Sequence, residues 1–131
     1  MNKNIIQKDI LKIIKNLTQI NEGHSGECGN FAIALNKLLN NIGTYYVIID
    51  DYFFEDGFYH VALKINDVLY DFEGIQTEEY LMSKYGYDEN YPETKFSSYE
   101  EDDENMILNK TESGSMATVE EIIVKYKENY K

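Results

Sequence analysis

The sequence predicts an α+β domain in which helices pack on a small antiparallel sheet, and three observations carry that expectation. Ile6, Ile10, Ile13, Ile14 and Leu17 recur at helical spacing, as do Phe31, Leu35, Leu38, Leu39 and Ile42 further on. Residues 44–50, TYYVIID, are β-branched and aromatic, as strands prefer. Two further apolar runs flank Asn66-Asp67, a pair suited to a tight hairpin turn.

Taken in chain order, residues 3–17 read as an amphipathic helix, and Asn21 to Glu27, with two glycines, as a loop. A second helix begins at or just after Cys28 and has Gly43 as its natural stop. Thr44–Asp50 is a strand and Glu55-Asp56-Gly57 a turn signal. Phe58–Ile65 and Val68–Phe72 form the arms of the hairpin, the second ended by Gly74. Thr77 caps a short helix, Glu78–Tyr85, that Gly86 stops. Residues 87–116 are polar and acidic, are expected to be irregular, and hold the sole proline, Pro92. Thr118-Val119-Glu120-Glu121 is a capping box for a last helix running toward Tyr130.

The 131 residues fit one domain, spanning 1–131, and 43% hydrophobic content is enough to bury a core. A single cysteine cannot form an internal disulfide, and one Cys with two His is too few for the usual structural zinc site. No metal or cofactor is therefore expected. Lys8, Asp9, Lys12 and Lys15 interrupt the apolar residues near the start, and no later apolar run is long enough to span a membrane. The cytoplasm is the expected compartment. A net charge of −12 disfavours nucleic-acid phosphate and anionic lipid as direct partners. What remains is a protein or peptide as substrate or partner, or acidity that only keeps the chain dispersed.

A cysteine nucleophile needs an ionised thiol, a base, and donors for the tetrahedral oxyanion. Gly26-Glu27-Cys28-Gly29-Asn30-Phe31-Ala32 puts the only cysteine at a helix start, where the dipole and free N–H groups favour a thiolate. The base must come from elsewhere, and His60 lies in the strand FYHVALKI. A two-residue turn at Asn66-Asp67 sets Ile65 opposite Val68, Lys64 opposite Leu69, Ala62 opposite Asp71 and His60 opposite Glu73. Asp71 is then the diagonal neighbour of His60, so a carboxylate shares the imidazole's face and can orient it. The other face, Val61, Leu63, Ile65, Val68, Tyr70 and Phe72, is apolar, which supports the register.

The order of a Cys at a helix start, a His in a strand and an Asp in the next strand resembles the papain-like and transglutaminase-like superfamily. GECGNFAIAL around Cys28, His60-Val61-Ala62-Leu63-Lys64 and Tyr70-Asp71-Phe72-Glu73-Gly74 resemble its small bacterial and phage-type members across roughly residues 21–75. The resemblance implies a papain-like core, with the Cys-bearing helix packed on the sheet that bears His and Asp. It implies Cys28 as nucleophile, His60 as general base and acid, and Asp71 as the orienting residue of a cysteine hydrolase or acyltransferase. One departure is the oxyanion donor. Papain-like proteases carry a glutamine shortly before the nucleophile, and here the nearest is Gln19.

Other readings stand beside this one. Cys28 alone reads more readily as a small buried hydrophobe, and the presence of His60 and Asp71 shifts that reading toward the nucleophile. Glu73 is an alternative to Asp71, and His24 is either a second base, a substrate contact or a solvated loop residue. Glu100-Glu101-Asp102-Asp103-Glu104 lacks the ligand alternation and central glycine of a calcium loop and reads as a solvated charge run. The rival to an enzyme is an acidic binding or inhibitor protein that occupies a basic surface, with residues 87–105 as the working face.

Overall fold

The computed structural model describes residues 7–21, 28–50, 60–86, 90, 92–110 and 119–130. For residues 20, 21, 28, 50 and 108–110 it describes the backbone alone. Five helices and a five-stranded antiparallel sheet make up an α+β fold among those residues. In order they are α1 (Gln7–Asn21), α2 (Cys28–Leu38), β1 (Thr44–Asp50), β2 (His60–Ile65), β3 (Val68–Asp71), β4 (Gly74–Gln76), α3 (Glu78–Tyr85), β5 (Phe96–Glu101), α4 (Glu104–Lys110) and α5 (Val119–Asn129). The strands lie in the order β4-β3-β2-β1-β5.

Strand alternation divides the core in two. Tyr45, Val47, Val61, Leu63, Ile65 and Tyr70 face a large cluster completed by Ile10, Ile14 and Leu17 of α1, the Phe31–Leu35 run of α2, Ile107 of α4 and Val119 and Ile122 of α5. Tyr46, Ile48, Ala62 and Leu69 face the other way, onto Leu81 of α3. Thus α2 covers one face of β2, and α3 the opposite one.

The hairpin forms as its turn residues require. Asn66 and Asp67 both take positive φ, 51° and 66°, and Ile65 pairs with Val68, Lys64 with Leu69 and Leu63 with Tyr70. The second arm stops at Asp71 rather than Phe72. Gly74 does not end the sheet: at φ 110° it lets the chain reverse through Phe72-Glu73 and pair again, Asp71 with Gly74 and Leu69 with Gln76. The expected facing of His60 and Glu73 is lost to that reversal, and the partner opposite His60 is Ile48 of β1.

Three boundaries depart from expectation for physical reasons. α2 ends at Leu38, and Asn40 and Asn41 take the left-handed conformation there, φ 62° and 59°, which asparagine tolerates. Gly43 is instead a close-packing position. Residues 87–116 are not irregular throughout, since β5 and α4 lie within them. FSSYEE shows no apolar alternation, so its pairing with β1, not its own pattern, makes it a strand. α1 extends to Asn21, four residues beyond the expected end, while Ile6 and residues 1–5 lie outside the described residues, as do Glu55-Asp56-Gly57, Phe58, Tyr59 and Thr118. Thr77 caps α3 as its sequence predicts, accepting the Tyr80 N–H at 3.1 Å.

A Cβ at Gly43 would lie 2.9 Å from both Leu63 Cδ1 and the Lys64 carbonyl oxygen. The side chain can shift, but the backbone of a central strand cannot. Gly43→Ala is therefore expected to cost about 1–3 kcal/mol, as overpacking does. A urea midpoint equal to that of the parent chain would contradict this.

Candidate active site

β2 and β3 place His60 and Asp71 side by side. The His60 Nε2 and Asp71 Oδ2 are 2.9 Å apart, and each residue is only 2% exposed. A buried carboxylate is costly unless its lone pairs are occupied. Asp71 meets that condition: its Oδ1 also accepts the Glu73 N–H at 2.9 Å and the Gln76 side-chain N–H at 3.0 Å. The β3–β4 reversal brings both donors into position. Burial pushes the Asp71 carboxyl up, but the bonds from His60, Gln76 and the Glu73 amide outweigh it and hold the group below its ordinary value. An ionised carboxylate only accepts, so Nε2 carries the shared hydrogen and Nδ1 is the nitrogen left to exchange a proton.

Two aromatic rings enclose the imidazole. Tyr85, the last residue of α3, stacks on it with centroids 3.8 Å apart and planes 2° from parallel. Phe72 meets it edge-on at 6.4 Å and packs against the large core. His60 therefore sits at the margin between the two cores. Neither aromatic contact was legible in the sequence, and nor was the Gln76 bond. The Gln76 bond joins residues that the β3–β4 reversal brings near.

Glu73 is placed elsewhere. Its carboxylate pairs with Lys84 at 3.1 Å and is 40% exposed, leaving Asp71 as the carboxylate that contacts the ring. Burial raises the Tyr85 hydroxyl above its ordinary value, against the opposing effect of Lys84.

Cys28 is the first residue of α2, and its side chain lies outside the described residues, as do His24 and the rest of 22–27. The other end of α2 is held in place. Asn36 accepts the Gly43 N–H at 2.9 Å and donates to the Gly43 carbonyl and the Tyr45 hydroxyl, while Gly43 packs on Leu63 and Ile65. The last turn of α2 thus lies at the Ile65 end of β2. α2 and the imidazole occupy opposite faces of the sheet.

Gln19 is on α1, and its side-chain oxygen accepts the Tyr130 hydroxyl at 3.2 Å. The acidic run stays exposed or half-buried: Glu100 and Glu101 end β5, Asp102 and Asp103 link it to α4, and Glu104 opens α4. Glu100 pairs with Lys64 at 2.9 Å, Glu104 with Lys37 at 3.2 Å, and Asp103 accepts the Asn105 N–H in the first turn of α4. Among the described residues, no group of three or more His, Cys, Asp and Glu is placed to hold a metal, and no helix is long and apolar enough to cross a membrane. A cleft of about 440 Å³ opens between β3, β4 and the start of α3, lined by Lys64, Leu69, Gln76 and Glu78 among others. It lies at the hairpin end of β2 and is not the approach to His60. The chain matches no protein-family model, no curated protein and no solved structure.

Proposed function

We propose that this chain is a cysteine-dependent hydrolase or acyltransferase acting on an amide or thioester, built on a papain-like or transglutaminase-like core. Cys28 is the nucleophile, His60 the general base and acid, and Asp71 the residue that orients the imidazole. The observation that supports this reading is the buried His60–Asp71 pair, three bonds deep on the carboxylate. In this reading Asp71 engages Nε2, so the thiol proton passes to Nδ1. The Cys28 thiolate adds to the substrate carbonyl, and N–H groups of the first turn of α2 stabilise the oxyanion. Collapse expels an amine or thiol, which takes its proton from His60. Water or an amine, deprotonated by His60, then resolves the thioester.

The placement of α2 and His60 on opposite faces favours a second reading, an acidic protein that binds a basic surface without using the thiol. One measurement separates the two. Cys28 is the only cysteine, so alkylation by iodoacetamide reports on it alone. Its rate is expected to reach half-maximum well below the ordinary thiol value of about 8.5, and His60→Gln is expected to move the profile back toward that value. Parent and variant profiles that rise together near about 8.5 would favour the binding protein.

A further inference from the structure

The contacts around His60 close into a circuit. His60 bonds Asp71, Asp71 accepts the Glu73 amide, and the Glu73 carboxylate pairs with Lys84. Lys84 precedes Tyr85 on α3, its ammonium lies 5.3 Å from the Tyr85 ring centroid, and Tyr85 stacks on His60. Among the described residues, the imidazole's one hydrogen bond runs from Nε2 to Asp71. A ring held by a single hydrogen bond can still rock about that bond. A flat face lying parallel at 3.8 Å removes that freedom and covers the bond from water. We propose that Tyr85 is the positioning residue for His60, and that the Glu73–Lys84 ion pair is the tie that keeps Tyr85 in place. Glu73 then acts on the histidine from a distance, through α3, rather than by contact.

The catalytic meaning of this circuit rests on reading His60 as the base, but its physical content does not. The test is therefore made on the ring proton. In ¹⁵N-labelled full-length protein, with His24→Gln removing the only other histidine, the solvent-exchange rate of the His60 Nε2–H is measured at one pH. Tyr85→Ala is expected to accelerate exchange by about tenfold, the scale of one aromatic pair. Tyr85→Phe keeps the flat face and is expected to exchange like the parent. Glu73→Gln, which weakens the tie, is expected to fall between them. If Tyr85→Ala does not fold, Tyr85→Leu fills the space without a flat face and is expected to show the same acceleration. An unchanged rate in the Ala or Leu variant, or a Phe variant as fast as they are, would overturn the proposal. A thiol that alkylates only near its ordinary value, with the ring proton behaving as expected, would remove the enzyme and leave the positioning role standing.

Discussion

Asp71→Ala is expected to lower the folding free energy by about 3–5 kcal/mol, the cost of removing one partner from a buried hydrogen-bonded pair. Three donors lose their acceptor at once: His60 Nε2, Gln76 Nε2 and the Glu73 amide. Water cannot replace it at a position only 2% exposed. Asp71→Asn is the milder change. Its carbonyl can accept from Gln76 and Glu73, which leaves its amide to meet Nε2. The imidazole must then carry its proton on Nδ1 instead, where the proposed mechanism needs a vacant lone pair. Asp71→Asn should therefore spare stability and suppress thiol-dependent turnover. The pH dependence has a definite sign. The folded-state value of Asp71 lies below its unfolded value, so its stabilisation is complete above the ordinary carboxylate range and fades as pH falls through the folded value. Urea unfolding from neutral pH downward should show an acid limb in the parent that is shallower in Asp71→Asn. Equal limbs would mean that Asp71 does not contribute.

Cys28→Ala is expected to abolish turnover of an activated thioester or amide, a loss of about 10³-fold or more for removal of a nucleophile. Folding stability should change by no more than about 1–2 kcal/mol, since only a small side chain is trimmed. The comparison belongs beside Asp71→Asn and Glu73→Gln at one pH. Asp71→Asn should slow turnover more, because it disturbs the imidazole directly, whereas Glu73→Gln acts only through Lys84 and Tyr85. A Cys28→Ala protein with its full biological effect would leave the acidic surface as the working part of the molecule.

Local chemistry was readable in the sequence wherever one short segment decides its own conformation. Asn66-Asp67 can hardly be anything but a tight turn, and Thr77 with Gly86 brackets α3 from both ends. Reading failed where a residue has two uses. Gly74 punctuates a strand as easily as it reverses one, and only the pairing of β4 with β3 distinguishes these. Gly43 looked like a helix stop, yet asparagines end α2 and the glycine serves close approach to β2. The pairing of His60 with a carboxylate on its own face followed from strand parity alone. The aromatic enclosure did not, because stacking between residues 25 positions apart leaves no periodic trace.

The sheet order leaves β4 and β5 as its two margins, and each is defended differently against pairing with another copy of the chain. β4 is three residues long, too short to template a neighbour, and Leu11 of α1 packs against its glycine. β5 is longer, but it ends in Glu100-Glu101 and gives way at once to Asp102, Asp103 and α4. Two such margins approaching each other would set like charges side by side on molecules that already carry −12 each. Five of the 24 acidic residues thus lie beside one of the places where backbone self-association would otherwise begin.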